Sequence, residues 1–159
     1  MNKKIIFLSF LFFLISCGGI EFVLKDRVEQ FKHQTTIVVE GDKTDTFYRE
    51  LLIFFGNQKN GEFILVANYS ENKENRLVKK NQVAEKINYE VVVSYNLYYQ
   101  NRNCNIYNKK ITTKFSFVPK SFGYNFGTDR SLDRLYKDSI RENILGFINL
   151  LPDQKNCVK

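Results

Sequence analysis

The sequence predicts an α+β two-layer sandwich, a mostly antiparallel sheet with two helices packed on one face. Three observations carry this. Residues 89–99 and 107–117 alternate apolar with polar side chains at the period of a half-buried strand. Residues 47–55 and 132–151 carry apolar stripes at helical spacing. The elements run strand, helix, three strands, helix, and the consecutive strands at the centre read as hairpins.

The first strand is Thr35-Thr36-Ile37-Val38-Val39-Glu40, β-branched and stopped by Gly41-Asp42. The first helix follows, with Phe47, Leu51, Phe54 and Phe55 on one face, Asp42 or Thr44 to cap its start and Gly56 to end it. Its aromatic stripe reads as core rather than as a ligand pocket. Gly61 opens a strand from Glu62 to Tyr69, and the polar stretch Ser70–Leu77 can continue the same ribbon. The next strand is Tyr89–Tyr99. Asn101-Arg102-Asn103-Cys104-Asn105 reads as a turn, and Tyr107, Ile111, Thr113, Phe115 and Phe117 mark the inward face of its partner. Pro119 ends that strand, and residues 120–130 read as a loop whose aromatics Phe122, Tyr124 and Phe126 either fold back onto the core rim or form a binding surface. Leu132, Leu135, Tyr136, Ile140, Ile144, Phe147, Ile148 and Leu151 make the clearest amphipathic helix, capped by Ser131 or Asp129 and ended by Pro152. Arg134, Lys137, Asp138, Arg141 and Glu142 form its polar face. No internal repeat or low-complexity segment is visible.

The amino terminus is an address. Lys3 and Lys4 precede an almost unbroken apolar run from Ile5 to Ile15, then small residues meet a cysteine in Leu14-Ile15-Ser16-Cys17-Gly18. A run of eleven residues is too short to span a bilayer, which needs about 20. The segment resembles a bacterial lipoprotein signal, in which the cysteine is acylated and becomes the new N-terminus. A signal cut elsewhere, leaving Cys17 free, is the other reading. The expected organisation is a signal peptide at 1–16, a lipidated tether at 17–33, an α+β domain at 34–152 and a tail at 153–159. In the tether, Phe22, Leu24 and Val28 are expected to touch the core. By resemblance to lipoprotein sorting, Gly18 after the cysteine favours the outer membrane, with the domain facing the periplasm or a barrel lumen.

The formal net charge is +7, and loss of Lys3 and Lys4 leaves about +5. A basic extracytoplasmic domain points to anionic head groups, lipopolysaccharide phosphates or an acidic protein surface as partners, and away from nucleic acid. Lys73, Arg76, Lys79, Lys80 and Lys86 cluster between two strands, Lys110 and Lys114 lie on the polar face of the last strand, and Lys120 follows it. Such side chains bind phosphate as point charges or forks; a solvated ribbon, with Glu71, Glu74 and Glu85 interspersed, is the alternative reading. Catalysis is not expected: His33 is the one histidine, in the tether, and no nucleophile elbow or phosphate loop is present. Glu71 and Glu74 read as solvated, and neither a metal nor another cofactor is expected.

Cys104 and Cys157 remain as a pair in an oxidising compartment. A helix over 132–151 spans about 30 Å and a strand over 106–118 about 43 Å. The returning helix can therefore bring Cys157 toward the hairpin tip at Cys104, and a disulfide between them is expected.

The whole pattern resembles the lipopolysaccharide-assembly lipoprotein LptE family. The likeness lies in the lipobox at 14–18, the helix with Phe47-Tyr48-Arg49-Glu50-Leu51-Leu52, and the polar stretch leading through Ala84-Glu85 to Tyr89-Glu90-Val91-Val92-Val93. The strand end at Phe115-Ser116-Phe117, Tyr124-Asn125 and the C-terminal helix from Leu135 to Leu145 complete it. Gly18-Gly19-Ile20-Glu21-Phe22 departs from the aromatic and arginine residues often found after the cysteine in that family. The resemblance implies a non-enzymatic outer-membrane lipoprotein that plugs the LptD β-barrel, assists its assembly and binds lipopolysaccharide. It implies ligand-binding roles for Arg76, Lys79 or Lys80, and Lys120. The rival reading is an envelope lipoprotein that binds another anionic ligand or serves as a scaffold, without a barrel partner.

Overall fold

The computed structural model describes residues 27–42, 44–78, 84–102, 104–119, 126–152 and 157. Its elements are β1 (Thr35–Gly41), α1 (Thr44–Phe55), β2 (Phe63–Val78), β3 (Ala84–Tyr99), β4 (Cys104–Phe117) and α2 (Phe126–Asn149). The four strands form one sheet in the order β1-β2-β3-β4, with β1 parallel to β2 and the other pairs antiparallel. The parallel pair has a simple cause. α1 intervenes between β1 and β2, so the chain crosses over instead of turning back through a tight hairpin.

Both helices lie on the face made by the odd-numbered residues of β2 and β3. Phe47, Leu51 and Phe55 of α1 and Ile140, Ile144 and Phe147 of α2 are fully buried against Phe63, Leu65, Val91, Val93, Tyr95 and Leu97. The Tyr95 ring stacks on Phe147 at 4.2 Å between centroids. Its hydroxyl would be costly to bury alone; it donates to Asn143 Oδ1 at 2.8 Å. Asn143 Nδ2 in turn donates to the Ile111 carbonyl at 3.2 Å, and Thr113 Oγ1 lies 2.9 Å from Ser139 Oγ. These polar groups thus fix where α2 sits over β3 and β4. A smaller cluster, Tyr89, Phe115, Phe117 and Tyr136, closes the other end of the same layer.

The α+β sandwich matches the sequence expectation, and five local readings change. β2 runs through the polar ribbon to Val78, as the sequence allowed, and β3, expected from Tyr89, already starts at Ala84, five residues earlier. β4 starts at Cys104: the turn is a short 3-10 segment, Gln100–Arg102, and a register shift beside Leu97/Tyr98 absorbs the extra residue. Residues 126–130, expected as loop, belong to α2, so Asp129 and Ser131 are inside the helix and do not cap it. Gly127 does not prevent this because its entropic cost of about 1 kcal/mol falls at the first turn of a 24-residue helix whose later turns are packed on the core. Phe126 is helical, while Phe122 and Tyr124 lie outside the described residues.

The tether is the fourth change. Val28 is buried as expected, and Phe31 is fully buried too, edge-on to Phe63 at 5.2 Å; Phe22 and Leu24 lie outside the described residues. His33 is an exposed turn residue with φ 57°, and its N–H donates to the Phe55 carbonyl at 2.8 Å. Gly56, at φ 76°, passes so near that a Cβ there would stand 2.5 Å from His33 Nδ1. Fifth, Glu71 is not simply solvated. It is half-buried on the helix side of β2, where Tyr136 donates its hydroxyl to Glu71 Oε1 at 2.7 Å.

Candidate functional site

The helices leave the other face of the sheet open. Strand register arranges that face in rows. Thr36, Ile64, Tyr98 and Asn105 form one, and Val38, Val66, Asn96 and Asn108 the next. Glu40, Asn68, Ser94 and Lys110 follow, then Ser70, Val92 and Thr112, then Asn72, Glu90 and Lys114. The face therefore grades from apolar, with Val38 and Tyr98 both exposed, through amides and hydroxyls to charge.

The charged end carries the candidate site. Arg76 on β2 is the register partner of Lys86 on β3, which sets two cationic residues opposite each other, a pairing that is unfavourable unless an anion shares it. Lys73 Nζ lies over the Tyr89 ring, 5.7 Å from its centroid. Tyr89 stacks on Phe115 at 4.8 Å. Lys73, Glu74, Lys86, Tyr89, Glu90, Lys114 and Phe115 are among the residues that line a cleft of about 380 Å³ at this end. Lys114 Nζ is 2.9 Å from Glu90 Oε1. The hydrogen bonds from Lys114 and then Asn72 hold the Glu90 carboxyl below its ordinary pKa. The Tyr89 and Phe115 rings turn to the helix side, where Tyr136 packs edge-on against both, so the open-face side of the cleft carries charged and amide groups suited to an anionic ligand.

Beneath this end, burial raises the Tyr69 hydroxyl well above the ordinary tyrosine range, and the Glu71 and Asp42 charges push it further. Burial and the hydrogen bond to Glu71 do the same for Tyr136. Both phenols stay neutral; that of Tyr136 donates to Glu71. Between the helices, Arg141 Nη2 meets Glu50 Oε2 at 3.1 Å. Glu50 is buried, and its place on the apolar stripe of α1, three residues after Phe47, was the signal for such a pairing. A second basic strip, Arg130, Arg134, Lys137 and Arg141, runs along the exposed face of α2 with Asp133 and Asp138 beside it. Among the described residues no group of three or more His, Cys, Asp or Glu could hold a metal.

Of the sequence-predicted site residues, Arg76 is placed within β2, while Lys79, Lys80, Lys120 and Cys17 lie outside the described residues. Cys104 and Cys157 are joined, with Cα atoms 5.7 Å apart. The bridge lies at the opposite end from Arg76. The register Phe63–Tyr99–Cys104 marks that end, and Arg76 is about 43 Å away along an extended strand. The described chain also begins there. Arg27 donates to the Asn149 carbonyl at the end of α2, and Gln30 Nε2 donates to the Pro152 carbonyl at 2.9 Å. The molecule is thus polar in the geometric sense, with its N-terminal entry at one end and the Arg76–Lys86 row at the other. Among the described residues no helix is long and apolar enough to cross a membrane.

No protein-family profile and no curated protein matches the sequence. Solved structures do match the fold. A Caulobacter crescentus CB15 protein provisionally described as a lipoprotein superposes with a TM-score of 0.57 at 12% identity, over 80% of this chain and 91% of that one. A minor lipoprotein from Acinetobacter baumannii gives 0.53 at 12% identity, over 75% and 90%. The rare lipoprotein B from Shewanella oneidensis gives 0.50 at 10% identity, over 73% and 90%. At these identities what the chain shares with them is the fold: one helix-covered, largely antiparallel sheet, built by proteins that their describers call lipoproteins.

Proposed function

We propose that this protein is an outer-membrane lipoprotein of the LptE type, acylated at Cys17, that plugs and helps assemble an LptD-type β-barrel and binds lipopolysaccharide on its way to the outer leaflet. The observation that carries the reading is the open sheet face with its cationic row at the end remote from the N-terminal entry. A domain built this way presents cations about 43 Å, measured along the strand, from the end at which its described chain begins. A face graded from apolar to amide to charge suits the polar lumen of a large barrel. The shared fold with rare lipoprotein B supports the same reading. The chemistry is binding: Arg76, Lys79, Lys80 and Lys120 would engage phosphates, and Lys86, across the ribbon from Arg76, would add a further cation.

The test is co-purification of the full chain from detergent-extracted outer membrane. Retention by a large barrel protein is expected; a lone monomer overturns the plug and favours an envelope binding or scaffold lipoprotein. For the ligand, Lys79→Glu with Lys80→Glu should weaken lipopolysaccharide binding while the unfolding midpoint stays put. Unchanged binding would remove that patch from the proposal.

A further inference from the structure

The sheet has two edges, and they are unlike. β1 offers seven residues and ends at Gly41. β4 offers fourteen, Cys104–Phe117, with no proline, and among the described residues it is paired on one side only, to β3. A row of backbone donors and acceptors so long is a template for another strand. Its side chains are one-signed: Lys109, Lys110 and Lys114, with no aspartate or glutamate anywhere in the strand. All three lysines are exposed. Lys114 has Glu90 across the sheet. Lys109 and Lys110 stand opposite Tyr95 and Ser94, which carry no charge.

From this we infer that the outer edge of β4 is a docking edge for an extended acidic segment of a partner protein, which joins the sheet as a fifth strand. Backbone hydrogen bonds supply the register-independent part of such binding, and side chains at alternate positions supply selectivity. Lys110 and Lys114 share the outer face and are four residues apart, so they select two carboxylates at that same spacing. Lys109 points to the other face and selects a third carboxylate next to one of the pair. A second copy of this chain is disfavoured by the same charges. Antiparallel pairing of two β4 strands about their midpoint, near residues 110 and 111, would crowd both Lys109–Lys110 pairs together with no acid to relieve them. The inference does not depend on the lipopolysaccharide reading, because this edge lies beside the cationic row and uses different lysines, Lys114 excepted.

The experiment uses the mature chain in detergent and a labelled synthetic Thr/Val peptide carrying glutamates at the spacing above. Fluorescence anisotropy should report binding, and amide hydrogen exchange should slow over 104–117. The same peptide with lysines for glutamates should not bind. A glutamate peptide of equal charge interrupted by proline should bind about tenfold more weakly, since it cannot form a strand. Lys109→Glu with Lys110→Glu should cost the acidic peptide about tenfold and admit the lysine peptide. Lys109→Gln with Lys110→Gln serves as the milder pair should the reversal perturb folding. Equal binding of the proline peptide would reduce the edge to a diffuse electrostatic surface. No binding of any acidic peptide would make the lysines guards against sheet-to-sheet association, and a dimer joined through β4 in sedimentation would assign the edge to a second copy. Each of these results overturns the proposal.

Discussion

The two ends of this sandwich are built on opposite principles. At the end where the described chain begins, every device holds the structure shut: Phe31 against Phe63, Arg27 and Gln30 on the last carbonyls of the α2 region, and Cys157 bridged to Cys104. At the other end the sheet narrows to the β2–β3 ribbon. There Arg76 stands opposite Lys86, and a small aromatic cluster is the floor. One end is stabilised by burial and cross-linking, whereas the other tolerates like charges side by side. Apolar packing and the like-charged register pair are thus separated along the strands, because burying cations among apolar side chains is costly.

The largest way to break the comparison is to empty the closed end. Phe147→Ala removes the ring that stacks on Tyr95 and should destabilise by about 3–5 kcal/mol in chemical denaturation. A loss under 1 kcal/mol would mean that the core does not sit there. Next, Cys104→Ala with Cys157→Ala opens a bridge across 53 residues of sequence separation and should cost about 2–4 kcal/mol, visible as a lowered Tm. Adding reductant to the double variant should then change nothing. Asn143→Ala leaves the Tyr95 hydroxyl and the Thr113 region short of a partner and should cost about 1–3 kcal/mol; Asn143→Asp, which keeps an acceptor for Tyr95, separates that bond from the rest.

The smallest effect lies at the open end and is a pH effect. Glu90 is held below its ordinary pKa by hydrogen bonds from Lys114 and Asn72. A depressed carboxyl contributes stability that is present above its unfolded pKa and disappears as pH falls through the folded value. Lys114→Met should move the Glu90 titration back up toward the ordinary carboxylate range when followed by NMR, with little change in Tm because the group is exposed. A titration that stays put would mean that Lys114 is not its partner in solution.

Much of this was legible beforehand. The stripe Phe47, Leu51, Phe55 and the stripe Ile140, Ile144, Phe147 can face only a core, and both do. The alternation in 89–99 announced which side of β3 would be buried. The polar ribbon 70–78 was harder to read, since its pairing depends on β3 rather than on any apolar pattern of its own. Glu71 misled for the same reason. Its neighbours Glu74 and Lys73 read as solvated, yet strand parity turns it to the side where Tyr136 arrives from 65 residues away. The start of α2 was missed because Gly127 and the aromatics imitate a loop. At the site, the cationic composition was visible, whereas the pairing of Arg76 with Lys86 and the seat of Lys73 over Tyr89 required the register.

By itself the sequence determined the local periods of its amphipathic segments, which of their faces are apolar, that Cys17 ends a lipoprotein-like signal and that the chain is basic. These follow from backbone geometry and hydrophobicity acting within a few residues. Only the tertiary structure decided that β1 runs parallel to β2, that β4 is the long open edge, and that the N-terminal entry and the Arg76–Lys86 row stand at opposite ends. Those are consequences of which elements share one core. They depend on contacts between residues far apart in the chain, whose energies are set by mutual burial and not by any local pattern.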